Sequence, residues 1–163
     1  VLARSDQTFS LTLPSDREIA MRRVFNAPRG RVFDAWTKPE QVRCWYGCGA
    51  LTLIVCEIDL RVGGSYCYVL RGPDGVNHGL EGTYREIVAP ERLVYTERYV
   101  TQNFESNEAL VTVTFTERHG KTTLTSLSVY PAREDRDAHL ASGVEAGAAL
   151  TLERLAEHLA TMA

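Results

Sequence analysis

The stretch REDRDAHLASGVEAGAALTLERLAEHLATM, residues 133–162, decides the fold. Its apolar residues Ala141, Val144, Ala148, Leu152, Leu155, Leu159 and Met162 recur in steps of three or four. That is the spacing of one helix face. His139, Glu145, Glu153, Arg154, Glu157 and His158 occupy the opposite face. Asp135 and Asp137 fall in the first turns, where a helix dipole favours negative charge. A fully helical segment would be ~40 Å long, at about 1.5 Å per residue. Ser142-Gly143-Val144-Glu145 reads as a capping box, with serine at the cap and glutamate three residues on. The pattern therefore predicts a short helix to about Ala141, a kink, and a long helix to about Thr161. A helix with one apolar stripe must bury it, and the preceding residues read as the sheet that receives it.

Working outward, 163 residues with 44% hydrophobic and 24% charged content suit a single domain with an ordinary core. The first 15 residues read as an N-terminal arm or an edge strand. No apolar run approaches the length of a membrane span, and no secretory pattern opens the chain. Net charge is −3, with no basic stripe of the kind nucleic-acid backbones require. Neither a membrane nor a nucleic-acid partner is expected. Cys44, Cys48, Cys56 and Cys67 form no C-x-x-C pair, and His78, His119, His139 and His158 are scattered. Zinc sites use locally spaced ligands, so no metal site is expected. Free thiols and a cytoplasmic location fit this cysteine usage.

The middle of the chain reads as strands joined by short turns. Glu18 to Phe25 alternates as a strand. Pro28 suits the first position of a helix carrying Val32, Phe33, Ala35 and Trp36. Lys38-Pro39 ends that helix, and a second short one runs to Trp45. Leu51 to Leu60 and the strand bearing Tyr66, Tyr68 and Leu70 form a hairpin across Gly63-Gly64. Pairing Leu60 with Gly64 puts Ile58 opposite Tyr66 and Cys56 opposite Tyr68. Gly72-Pro73-Asp74-Gly75 and Ala89-Pro90-Glu91-Arg92 read as turns. They bound strands Leu80 to Val88 and Leu93 to Tyr99. Thr101 to Asn107 reads as a polar loop. Glu108 to Glu117 pairs with Thr122 to Tyr130 across His119-Gly120. There Val111, Val113 and Phe115 face partners that include Leu124, Ser126 and Ser128. Either a bulge resets the last strand or the serines face inward. The expected fold is α+β: a curved antiparallel sheet, two short helices after the first strand, and a long C-terminal helix.

Several of these stretches carry a family resemblance. They are Val24-Phe25-Asn26-Ala27-Pro28, the run Val32-Phe33-Asp34-Ala35-Trp36-Thr37-Lys38-Pro39, and Trp45 near Gly47. Cys56-Glu57-Ile58-Asp59-Leu60-Arg61-Val62-Gly63-Gly64 continues the series, as does Tyr84-Arg85-Glu86-Ile87-Val88 with Pro90-Glu91-Arg92-Leu93. In order and spacing, from Glu18 to Ala160, the sequence resembles the heat-shock protein 90 ATPase activator-like family of the START-like (SRPBCC) superfamily. The resemblance implies a helix-grip fold. It also implies a cavity between sheet and helix that takes lipids, polyketides, hormones or other apolar molecules, and in some members cyclase, aromatase or hydrolase activity. The family tends to show Trp-Gly-Pro after its second helix, where this chain has Trp45-Tyr46-Gly47-Cys48. The cochaperone behind the family name carries an additional N-terminal domain. This sequence offers no residues for one, so chaperone activation is not expected.

The inner face offers Trp36, Trp45, Tyr66, Tyr68, Tyr95 and Phe115, with Leu152 from the helix. Aromatic groups with polar tips suit an apolar pocket with a few orienting groups; packing of a large core is the alternative. Glu97 shares the parity of Leu93 and Tyr95, so a carboxyl points inward. A buried carboxyl could serve as an acid or base. The alternative is a sheet-edge position, solvated or paired with Arg71 or Arg85. No phosphate loop or nucleophile elbow is present: Gly63-Gly64 lies between strands, and Ser142-Gly143 follows none. The leading reading is a cofactor-free binding protein for a hydrophobic or amphipathic small molecule, with binding favoured over catalysis. A cyclase or hydrolase on the same fold, or a chaperone-associated interaction protein, are the alternatives. The sequence sets no oligomeric state.

Overall fold

The computed structural model describes residues 9–162. Strand β1 is Phe9–Thr12 and β2 is Glu18–Phe25. Helices α1, Arg29–Thr37, and α2, Pro39–Trp45, follow. The chain then runs through β3 (Thr52–Ile58), β4 (Ser65–Arg71), β5 (Asn77–Val88) and β6 (Arg92–Thr101). Next come the short β7 (Phe104–Glu105), then β8 (Ala109–Arg118) and β9 (Lys121–Val129). Helices α3, Arg133–Ala141, and α4, Val144–Ala160, end it.

The strands form one antiparallel sheet in the order β1-β2-β9-β8-β6-β5-β4-β3, with β7 added on β6. Strand β2 pairs with β9, whereas β3 lies at the far edge. Helices α1 and α2 therefore carry the chain from one side of the sheet to the other. Helix α4 lies against the inner face with Leu152, Leu155 and Leu159 buried. They join Phe25, Phe115, Leu93, Val113 and Leu124 in the main core. Buried Arg23 of β2 reaches Glu153 of α4 at 3.0 Å, so an ion pair also ties the helix to the sheet. A smaller core of Ile19, Ala109 and Tyr130, with Leu140 and Val144, lies under the α3–α4 junction.

The break in the C-terminal helix falls where the sequence placed it, but for a different reason. Ser142 is the C-cap of α3, and its hydroxyl donates to the His139 carbonyl at 2.6 Å. Gly143, at φ 88°, precedes α4 without a side-chain cap. A left-handed residue at a helix end favours glycine, so the motif is a stop before a start rather than a capping box.

The β3–β4 register is as expected, Ile58 opposite Tyr66 and Cys56 opposite Tyr68. Strand β3 ends at Ile58, however, and Leu60 is exposed in the turn. Pro28 caps α1 from just outside it. The β5–β6 turn begins one residue early, with Glu91 N–H donating to the Val88 carbonyl and a cis bond before Pro90. The expected loop at Thr101 to Asn107 contains β7 instead. Val100 pairs with Glu105 and Thr101 with Phe104, leaving only Gln102 and Asn103 as the turn. The β8–β9 ladder runs without a shift, Val111 opposite Ser128 and Val113 opposite Ser126. No bulge resets β9: the serines share the inward parity. Phe9–Thr12 is an edge strand on β2; the remainder of the expected arm, residues 1–8, lies outside the described residues. All four cysteines are unpaired.

Candidate functional site

Close approach of strands shapes the floor of the site. Gly82 of β5 pairs with Tyr66 of β4. A Cβ at Gly82 would lie 1.7 Å from the Thr96 carbonyl oxygen and 2.9 Å from the Tyr66 ring, so only glycine fits. The Tyr66 hydroxyl donates to that same carbonyl at 2.8 Å. Helix α4 roofs this floor with Gly147, Ala148, Thr151 and Leu152. Its small residues leave a cavity of about 280 Å³ between helix and sheet.

One wall is aromatic. Trp36 and Trp45 stand 5.3 Å apart, centroid to centroid, and the Trp45 indole N–H donates to the Ala35 carbonyl at 2.9 Å. Tyr46 lies 4.8 Å from Tyr68, and Tyr66 lies 5.3 Å from both Tyr68 and Tyr95. Tyr84 continues the wall 5.6 Å from Tyr66. Burial pushes the phenols of Tyr46, Tyr66, Tyr68, Tyr84 and Tyr95 up from their ordinary value, so they stay neutral.

The other end is polar. Glu97, Ser126, Ser128 and His139 line it. Glu97 pairs in register with Ala109 of β8, and β6 is an interior strand, not an edge. Arg71 bonds Asn77 and Arg85 pairs with Glu108 instead. The Glu97 carboxyl has no hydrogen-bond or ion-pair partner among the described residues, and burial alone pushes it up to about 7. Its charge adds to burial in raising Tyr46, Tyr66, Tyr95 and Tyr130. His139 Nδ1 meets the Tyr130 hydroxyl, and burial lowers the imidazole below its usual range.

Of the residues singled out from sequence, Trp36, Trp45, Tyr66, Tyr68, Tyr95, Glu97 and Leu152 all border this cavity. Phe115 does not; it is buried against Phe33 and Trp36. Sequence reasoning missed Tyr46, Tyr84 and His139 as lining residues. Tyr46 had a signal, since it stands where the family pattern departs. Beside it, the Thr151 hydroxyl lies within hydrogen-bond distance of two carbonyls, Gly47 at 3.0 Å and Gly147 of its own helix at 2.8 Å. Gly147 packs there against Cys48, whose Sγ is 3.6 Å from where a Cβ would be. The close approach at Gly147 is thus to the loop after α2, not to the sheet. Among the described residues no group of three or more His, Cys, Asp and Glu could hold a metal ion. No helix among them is long and apolar enough to cross a membrane.

The family model of the Activator of Hsp90 ATPase homolog 1-like proteins matches residues 26–160. The chain belongs to that family. Solved structures agree with this AHSA1-like assignment. A Rhodobacter sphaeroides protein is 27% identical with TM-score 0.86, over 94% of this chain and 99% of that one. A Staphylococcus epidermidis protein is 28% identical with TM-score 0.80, over 94% and 95%. A Mycobacterium smegmatis protein, 24% identical with TM-score 0.83 over 94% and 98%, shares the fold. No protein of curated function matches the chain. The AHSA1-like domain here is thus a helix-grip α+β fold with a cavity under its long helix.

Proposed function

We propose that this AHSA1-like domain binds a small hydrophobic or amphipathic molecule in the cavity between α4 and the sheet. The observation that carries the reading is the combination of an aromatic wall with one unpartnered carboxyl in a 280 Å³ space. Ligand sites are mostly apolar with a few polar groups that set orientation. The rings offer faces and edges to an apolar body. Glu97, Ser126 and Ser128 orient its polar end. A filled core would have favoured a purely interacting protein; open space at the helix favours a ligand.

An enzyme on the same site is the second reading, and Glu97 is what favours it. A carboxyl held near 7 is matched to proton transfer at neutral pH. Native mass spectrometry of protein purified from its own host tests the binding role. A stoichiometric retained small molecule, lost on unfolding, is expected. Recovery of the bare chain, with no saturable binding of any apolar probe, contradicts it. Chemical change of the retained molecule on incubation, absent in Glu97→Gln, would establish the enzyme.

A further inference from the structure

Among the described residues the cavity lining holds one carboxylic acid, Glu97, and no Lys or Arg. His139 is held toward its neutral form by burial and faces Tyr130. The phenols of Tyr46, Tyr66, Tyr68, Tyr84 and Tyr95 cannot ionise at neutral pH, since burial pushes each above its ordinary value. An anionic ligand would meet the ionised form of Glu97 with repulsion in a site of low dielectric, with no cation among the described lining residues to offset it. A neutral apolar ligand would leave the Glu97 carboxyl without a partner, which is costly for a buried polar group.

A cation satisfies both features. Aromatic ring faces attract cations through their quadrupole. Seven rings, two from tryptophan and five from tyrosine, border this space. A carboxylate at their margin supplies the counter-charge. We propose that the cavity selects a small organic cation, a protonated or quaternary amine on an apolar body, with its charge held between Glu97 and the tyrosine wall. This rests on the binding role proposed above and specifies its ligand class.

Proton linkage supports the choice. A cation favours the ionised form of Glu97, so binding is accompanied by proton release around the carboxyl's value of about 7. The titratable groups that share the cavity lining with Glu97 are Tyr46 and Cys48 from the loop after α2, Tyr66, Tyr68 and Tyr84 from β4 and β5, and Tyr95 from β6. His139 lines it too, and the Glu97 charge also raises Tyr130. His139 is the other member whose ordinary range lies near neutrality, and it is held neutral.

The test is a fluorescence titration, using Trp36 and Trp45, with three probes: benzyltrimethylammonium, its uncharged carbon isostere neopentylbenzene, and the anion hydrocinnamate. The cation is expected to bind ~10-fold or more tightly than the isostere, with hydrocinnamate weakest. Its affinity should fall as pH drops below about 7. Glu97→Gln should weaken the cation ~10-fold and leave the isostere within about twofold. Glu97→Asp should keep most of the preference. A circular-dichroism melt confirms that each variant is folded. Isostere or anion binding as tightly as the cation, or an unchanged preference in folded Glu97→Gln, overturns the cation proposal while leaving a binding cavity in place. Failure of all three probes to bind overturns this proposal and the binding role together.

Discussion

The Tyr66 hydroxyl donates a 2.8 Å hydrogen bond to the Thr96 carbonyl, reaching across β5 at Gly82. This contact links β4 to β6 over the strand between them. The same Tyr66 side chain lines the cavity.

Gly82→Ala should destabilise the domain by ~1–3 kcal/mol, the usual cost of forcing an extra carbon into a packed site. The added Cβ has only 1.7 Å to the Thr96 oxygen, and backbone must move to admit it. Tyr66→Phe should cost less, ~1 kcal/mol for one hydrogen bond. Urea denaturation of both variants measures the difference. A Gly82→Ala variant as stable as its parent would show that β5 and β6 do not need this approach.

The helix should respond unevenly to truncation. Leu155 is fully buried in the main core, and Leu155→Ala should cost ~2–5 kcal/mol. Leu152 borders the cavity, so it has fewer packing partners to lose. Leu152→Ala should fall at or below the low end of that range and enlarge the cavity. Equal losses from the two variants would mean that the space beside Leu152 is filled in solution.

Glu97 makes stability depend on pH in a direction that can be worked out. Its carboxyl is raised in the folded state from about 4.5 to about 7. Between those values the unfolded chain has lost the proton and the folded chain retains it. Fewer protons bound in the unfolded state means that stability falls as pH rises. The stability that protonated Glu97 permits is complete below about pH 4 and is lost through about pH 7. Glu97→Gln should therefore gain on its parent by up to about 3 kcal/mol as pH rises from about 4 to about 8. Chemical denaturation at both pH values reads it. A constant gap between parent and variant would show that Glu97 has its usual solvated character.

Much of this arrangement was legible in the sequence because it rests on periodicity and register. The leucine spacing placed α4, and the Ile58–Tyr66 pairing oriented a whole hairpin. The parity of Leu93, Tyr95 and Glu97 pointed the carboxyl inward, although a sheet edge stayed open until the strand order put β6 in the interior. Phe115 shares that inward face but packs on Phe33, because a face is a direction and a cavity is the part of it that neighbours fail to fill. Tyr46 lies in a loop, where no repeat fixes the direction of a side chain. His139 falls on the polar face of a repeat that the break at Gly143 interrupts, whereas it lines the cavity from the separate helix α3. Ser126 and Ser128 were ambiguous for a related reason: polar residues on the inward parity resemble a register slip until there is a space for them to face.

A single titration bears most directly on the central claim that the space under α4 is a binding cavity. The change Ala148→Leu adds volume from the helix side, at a residue that lines the cavity and is not fully buried. Parent and variant are titrated in parallel with benzyltrimethylammonium and neopentylbenzene, following tryptophan emission. Saturable binding by the parent is predicted for at least one probe, weakened ~10-fold or more in the variant, with thermal stability unchanged or raised because the leucine fills empty space. No saturable signal in the parent, together with a variant destabilised by overpacking, would contradict the cavity.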